Sequence, residues 1–384
     1  MSLLDNPEAE VPDADVKALD RPAYRLPPEA YYSAEWYERE RRDLFGRTWN
    51  LVGHVVDVPQ PGDFVTKMVG TEPIVVVRSA EGELVGYVNI CRHRGMTIAQ
   101  GTGDASTGSC GSSLRCPYHG WEWNLDGSLE RVPQRKTQFP DLDPSVLGLF
   151  PVAVRTWAGL IFVHPDPTAA DTFDQWLGDF PSKAGDYPWD DFVEIRRHRA
   201  PIACNWKLYM ENHIDWLHLW YLHDESLKMY DHHGGEIYTI GDHFASLERL
   251  RPDAERVSVA DLIPLPGVAD DEEDLLRANM LFPNVPFVTT GRGLSTYEVV
   301  PTGPESCELD LRLFALPGGS FRDEQLELTL NILVAEDGRA CEQMQASVHS
   351  PRFAVGPLAT AFERPIAEFH DAVLRRLGPA TEAL

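Results

Sequence analysis

Two short stretches, Cys91-Arg-His93-Arg-Gly95 and Cys116-Pro-Tyr-His119-Gly120-Trp121, each offer one thiol and one imidazole, as C-x-H and C-x-x-H. A [2Fe–2S] cluster with two thiolates on one iron and two imidazoles on the other needs this donor set. A lone Cys or His is more often structural, and two Cys with two His also suit zinc, although zinc commonly takes them as C-x-x-C and H-x-x-x-H pairs. Gly95 and Gly120 mark tight loops whose backbone N–H groups can approach sulfur.

A second concentration of ligand types runs Asn205-Trp-Lys207…Glu211-Asn212-His213-Ile-Asp215-Trp-Leu-His218-Leu-Trp-Tyr-Leu-His223. Two neutral imidazoles and a carboxylate with open positions opposite form the facial triad that binds O₂ at non-haem Fe(II). His218 and His223 are the imidazoles in this reading. Five residues of regular helix turn through about 500°, leaving these side chains roughly 140° apart. The spacing therefore predicts a bulge, kink or break between 218 and 223. Asp215, three residues before His218, shares its face and can orient the ring through the nitrogen that does not bind metal. The competing reading is an amphipathic helix with satisfied histidines, since His213, His232 and His233 show that this chain scatters histidine.

The carboxylate must come from elsewhere. Glu336-Asp337 follows the run 328–334, which reads as a strand, and precedes an expected helix; Asp337 is the favoured ligand and Glu336 the alternative. An acidic pair capping a helix N-terminus is the ordinary explanation of the same residues. Met210, Trp216, Leu217, Trp220, Tyr221 and Leu222 are the candidate pocket residues, although a core helix carries the same types.

The elements that must hold these groups fall into blocks. Residues 1 to 28 are acidic and proline-containing and read as a surface arm, followed by a helix from an N-capping Ser33 through Trp36, Tyr37, Leu44 and Phe45. From 48 to 165 the chain alternates β-branched runs with Gly and Pro: Phe64-Val-Thr-Lys-Met-Val69, Ile74-Val-Val-Val-Arg78, Leu84-Val-Gly-Tyr-Val-Asn-Ile90 and Leu160-Ile-Phe-Val163. Turns at 80–83 and 125–128 make this a small antiparallel β domain with both thiol–imidazole loops at strand ends. A polar, proline-rich connection over 166–189 leads to strand-like segments at 192–195 and 311–314 and helical ones at 203–224 and 358–377. Sheet plus helices without βαβ alternation gives an α+β class. The divisions expected are 1–47, an arm and helix packing on the last domain; 48–165, the cluster domain; and 166–384, the catalytic domain with antiparallel sheet and helices.

The 384 residues carry a formal net charge of −26, which argues against a nucleic-acid partner. No leader pattern and no apolar run of about 20 residues is evident, so a cytoplasmic protein with no membrane partner is expected. Of the six cysteines, Cys110 lies in a flexible-looking loop outside either ligand pair. The acidic run 270–274 reads as a solvated surface.

Together, 91–121 and 205–223 resemble the terminal oxygenase, or α subunit, of the Rieske non-haem iron oxygenases, aromatic-ring-hydroxylating type. The resemblance extends over most of the chain through CRHRG, CPYHGW, NWK…EN…D-x-x-H-x-x-x-x-H and a late E-D…E-x-x-Q segment. It implies that Cys91, His93, Cys116 and His119 hold a Rieske [2Fe–2S] cluster, and that His218, His223 and Asp337 hold a mononuclear Fe(II). Asp215 matches the family's bridging carboxylate, which links an iron histidine to a cluster histidine of the neighbouring subunit. The resemblance further implies electrons from a reductase or ferredoxin, O₂ and a small organic substrate. It also implies a ring of subunits, a homo-trimer or a larger ring or one with a β subunit, because cluster and iron of a single chain are generally too far apart. Hydroxylation of an aromatic compound or its oxidative demethylation is the expected activity, supported by Asp rather than Glu at 215. A monooxygenase of choline- or betaine-like amines and an electron carrier without catalytic iron are the alternatives. The segment 101–113 is longer than the family pattern and reads as a surface insertion.

Overall fold

The computed structural model describes residues 23–101, 106–252, 254, 262–268, 272, 275–353 and 356–378. The acidic arm before residue 23 and most of the run 270–274 lie outside the described residues. Contacts divide the chain into two compact units, one of them Arg39–Trp176 and the other formed from the chain on both sides of it. The first division falls inside the helical run that follows Ser33. Ser33 Oγ accepts from Trp36 N at 3.3 Å, and the run then passes from α-helix at Ala34–Arg39 to a π turn at Glu40–Leu44 and a 3₁₀ turn at Phe45–Arg47.

The first unit contains β1 (Asn50–His54), β2 (Asp63–Val69), β3 (Glu72–Arg78), β4 (Leu84–Val88), β5 (Thr107–Ser109), β6 (Ser113–Arg115), β7 (Glu122–Asn124), β8 (Leu129–Arg131), β9 (Pro151–Trp157) and β10 (Leu160–His164). They make a seven-stranded antiparallel sheet in the order β1-β10-β9-β4-β3-β2-β5 and a three-stranded sheet β6-β7-β8. Alternation along β3 separates two cores. Ile74 and Val76 pack with Val65, Val69 and Ile161, whereas Val75 and Val77 pack with Cys91, Cys116, Trp121 and Trp123. The second core is thus the floor beneath both thiol–imidazole loops.

Two sequence expectations change here. The insertion is not a simple surface loop: β5 lies within it and pairs Asp63↔Ser109 and Val65↔Thr107 at the edge of β2. Gly108 permits this, because a Cβ there would stand 2.6 Å from Phe64 Cζ. Cys110 is held rather than loose, its N and Sγ both directed at Gly62 O, at 2.9 and 3.2 Å.

The second unit is a seven-stranded antiparallel sheet, β11-β17-β16-β15-β14-β13-β12, covered by helices. Its strands are β11 (Val193–Ile202), β12 (Glu236–Ile240), β13 (His243–Arg249), β14 (Leu275–Leu281), β15 (Val285–Thr290), β16 (Gly293–Gly303) and β17 (Ser306–Ala315). Cys307, Leu309 and Leu311 point inward from β17 in strict alternation with Ser306, Glu308 and Asp310. The helices are α1 (Trp206–Ile214), α2 (Asp323–Leu330), α3 (Arg339–Val348) and α4 (Arg364–Leu377), with a π-helical stretch, Asn331–Gly338, joining α2 to α3. The connection 166–189 contains short helices at Phe173–Leu177 and Phe180–Ala184 rather than extended chain. The helical signal at 358–377 narrows to α4.

Helix α1 is enclosed on nearly every side, which explains why its sequence lacks a simple apolar stripe. Its cap and its central carboxylate are paired. Asn205 caps it by accepting from Lys207 N at 3.0 Å. Glu211 accepts from Tyr31 OH at 2.6 Å and Tyr24 OH at 2.9 Å, with His370 Nε2 2.9 Å away on α4. This buried network fixes the helix that delivers Asp215 and His218.

The run 328–334 is helical, not a strand. Its β-rich composition is overridden because Leu328, Ile332 and Leu333 must all face one internal cavity, at spacings of four and one that no strand face provides.

Candidate metal centres and substrate cavity

The two loops of the first unit are built alike. Gly95 N donates to Cys91 O at 2.9 Å and Cys91 N to Met96 O at 2.8 Å; Gly120 N donates to Cys116 O at 3.0 Å and Cys116 N to Trp121 O at 2.8 Å. Each loop closes only because its glycine takes a left-handed φ, +77° at Gly95 and +70° at Gly120. Cys91 and Cys116 are buried. Burial pushes the Cys91 thiol up, while the N–H groups of His93 and Arg94 favour its thiolate. His93 and His119 stand at the outer side, their ring centroids 4.7 Å apart, and His93 stacks on Trp121 at 5.0 Å. His93 Nδ1 is buried without a hydrogen-bond partner, as a metal-binding nitrogen would be. Sequence reasoning missed Asn89, which accepts from Ile98 N and Ala99 N and donates to Ala99 O at 2.8 Å, clamping the far end of the first loop.

In the second unit, α1 stops at Ile214. Asp215 is extended, at φ −76° and ψ 124°, and its Oδ1 accepts from Leu217 N at 2.7 Å, a local turn that competes with helix. A 3₁₀ turn at Leu217–Trp220 follows. The α-helix therefore ends before His218, and the 3₁₀ turn itself ends at Trp220, the break between the two histidines that their spacing requires; their rings meet at a centroid distance of 5.0 Å. Asp337 arrives from the π-helical stretch, where Gly338 lets the backbone approach β11; a Cβ at 338 would lie 2.9 Å from Ile202 Cδ1.

His218, His223 and Asp337 each present a ligand atom within 4.8 Å of the other two. Nε2 of His223 lies 2.9 Å and Nε2 of His218 3.8 Å from Asp337 Oδ1. Each imidazole turns its Nδ1 to a different carboxylate. His223 Nδ1 meets Glu336 Oε2 at 2.7 Å; His218 Nδ1 is 3.6 Å from Asp215 Oδ2, beyond hydrogen-bond range. Burial disfavours charge on Asp337, but the facing imidazoles of His223 and His218 hold its carboxyl below the usual range. Asp337 Oδ1 has no well-directed hydrogen bond despite the close approach of His223, and His218 Nδ1 is likewise buried and unpartnered. A divalent cation among these atoms would satisfy Oδ1, and the donor set suits iron.

The three groups open on a cavity of ≈ 240 Å³. Of the pocket residues expected from sequence only Trp216 lines it: Met210 points into the core, Tyr221 is exposed, and Leu217, Trp220 and Leu222 are not in the wall. Most of the wall comes from the sheet and the π-helical run, through Leu276, Val288, Leu313, Phe314 and Leu333 among others. His213 and Tyr297 form a fixed polar edge. Tyr297 OH donates to His213 Nδ1 at 2.7 Å, so Nε2 carries the proton given to Asn279 O at 2.9 Å.

Residues 48–155 match the family described as Rieske [2Fe-2S] domain, and residues 189–379 the one described as ring hydroxylating alpha subunit (catalytic domain). Choline monooxygenase from Beta vulgaris is 27% identical over 96% of this chain and 79% of its own. The alpha subunit of biphenyl 2,3-dioxygenase from Rhodococcus jostii is 37% identical over 52% of this chain and 43% of its own. In fold, the quaternary ammonium Rieske monooxygenase CntA superposes with a TM-score of 0.79 at 21% identity, covering 96% of this chain and 99% of the other. Naphthalene 1,2-dioxygenase from Rhodococcus sp. gives 0.71 at 21% identity, covering 93% and 95%. With both family matches spanning most of the sequence, this chain belongs to the Rieske non-haem iron oxygenases, as an alpha subunit that uses a Rieske [2Fe–2S] cluster and a mononuclear iron to incorporate O₂.

Proposed function

We propose that the chain is the terminal oxygenase for a small, largely apolar ring compound, which it hydroxylates or oxidatively demethylates. The observation carrying this reading is the His218–His223–Asp337 group opening on a mainly apolar cavity whose wall, among the described residues, contains neither Lys nor Arg. When bound, the cluster supplies single electrons and the iron activates O₂. In this assignment Cys91, His93, Cys116 and His119 hold the cluster, within a domain spanning 48–165. His218, His223 and Asp337 hold the iron in the remainder, 166–384, with 1–47 packing on it. Glu336 orients His223, while Asp215 faces His218 Nδ1 at 3.6 Å without a direct hydrogen bond. Asp215 is also the group assigned to link His218 to a cluster histidine of a neighbouring copy in a trimer. A reductase or ferredoxin serves as electron donor, and the four cysteines outside the cluster, none in a disulfide among the described residues, suit the cytoplasm. No helix among the described residues is long and apolar enough to cross a membrane.

The test is oxygen uptake by the reconstituted enzyme with a reductase, across matched aromatic and amine substrates. Uptake coupled to product with the aromatic set, abolished in His218→Ala and His223→Ala while the Rieske absorption persists, is expected. Coupled uptake with the amines alone would refute the substrate assignment.

A further inference from the structure

The mainly apolar cavity wall contains one feature that neither metal centre uses. Glu248, on β13, is 4% exposed and lines the cavity. The segment after His223 is drawn onto the end of this strand: Asp231 N donates to Arg249 O at 2.9 Å, Arg251 N donates to Met229 O at 2.8 Å, and Tyr230 bridges Leu250. His232 is thereby set beside Glu248, with Nδ1 2.7 Å from Oε2. Trp216 fixes the arrangement from the other side. Its Nε1 donates to His232 O at 3.2 Å, and its ring occupies the space a side chain at Gly235 would need, with a Cβ there only 2.2 Å from Cζ2.

One carboxylate oxygen is therefore committed to His232. The other, Oε1, has no hydrogen-bond partner among the described residues. An acceptor that faces a mainly apolar cavity is placed to receive a donor from a ligand. Among the described lining residues there is no Lys or Arg, whereas Asp215, Glu248 and Asp337 all contribute carboxylates. The described part of the wall thus favours a neutral or cationic ligand over an anionic one, and the second oxygen of Glu248 is a charged acceptor that neither metal centre uses.

We propose that Glu248 is a specificity-determining residue. Its free oxygen accepts from a hydroxyl or amino group at one end of the substrate, so the preferred substrates are rings bearing a hydrogen-bond donor and lacking a carboxylate. This inference rests on the oxygenase reading and deepens it: a ring anchored at Glu248 lies in the same cavity as His218, His223 and Asp337.

Binding of p-cresol, p-xylene and 4-methylbenzoate to the metal-loaded enzyme, measured calorimetrically without O₂, tests the proposal. These rings differ in essentially one substituent. Wild type should bind the phenol about tenfold or more tightly than the xylene, as a hydrogen bond to a charged group requires, and should bind the benzoate least. Glu248→Leu should abolish the phenol preference. Glu248→Gln, which keeps one acceptor oxygen, should reduce it several-fold and gives the comparison if the leucine variant does not fold. Equal affinity for phenol and xylene in wild type, a preference unchanged in the variants, or a benzoate bound as well as the phenol would each overturn the anchor. Oxygen uptake separates the two readings: a phenol preference without uptake refutes the oxygenase reading alone, and uptake without any preference refutes the anchor alone.

Discussion

Glu336 tests the design of the iron site most directly. Its Oε2 faces His223 Nδ1 at 2.7 Å and accepts from Ser226 Oγ at 2.6 Å; its Oε1 accepts from Asn331 Nδ2 at 2.8 Å. An ionised carboxylate only accepts, so His223 gives its Nδ1 proton to Glu336, and Nε2 is the nitrogen that would be left to hold iron beside Asp337. Glu336→Gln keeps the shape but replaces one acceptor by an N–H₂. If the amide oxygen stays with His223 and Ser226, the nitrogen confronts Asn331 Nδ2, donor against donor. If it flips, His223 loses the acceptor that fixes its tautomer. Substitutions of groups that orient a metal-binding histidine cost about 10–100-fold in metal affinity, or about 1.4–2.7 kcal/mol. Competitive chelator titration of Fe(II) should show that loss in Glu336→Gln, with the Rieske absorption unchanged. Asp337→Asn should lose more, since it removes a charged ligand. Iron affinity within twofold of wild type would refute the orienting role. A loss as large as that of Asp337→Asn would mean that Glu336 is itself a ligand.

Two further outcomes are expected. Asp215→Asn should retain both iron centres, by metal analysis and visible absorption, yet stop product formation; normal turnover would show the bridging assignment wrong. His213 is enclosed, and burial pushes its imidazole down to about 4 from an ordinary 6.5. As pH falls the unfolded chain takes up this proton first, so the stabilisation is complete above about pH 6.5 and is lost towards pH 4. The loss is up to about 3 kcal/mol. Urea unfolding at pH 7 and pH 5 should show a weaker pH dependence in His213→Asn than in wild type, and identical dependences would refute the prediction.

Local chemistry was legible in the chain. Cys91, His93, Cys116 and His119 declare themselves because both loops are short and closed within six residues by their own backbone, so spacing alone constrains them. Four of the ten strands of the first unit were equally readable, since alternation such as that of Ile74 to Val77 is a property of consecutive residues. Helix α1 was detectable, and the disagreement between regular helix and the spacing of His218 and His223 announced the break between them that the end of the 3₁₀ turn at Trp220 provides. Tertiary structure added an earlier one, because a side chain–backbone turn at Asp215 and the docking of Trp216 N on Phe362 O end the α-helix at Ile214. It also turned 328–334 from expected strand to helix, where facing a common cavity outweighs β propensity. The cavity wall was hidden for the same reason. Its residues come from strands and helices scattered from Ile195 to Asp337, and no local pattern marks which side of a strand will face a metal. Glu336 entered from the sequence only as the alternative iron ligand, and Glu248 as an ordinary acidic residue. Only the folded chain sets Glu336 behind His223 and Glu248 beside His232, since each pair joins residues that are not neighbours in sequence.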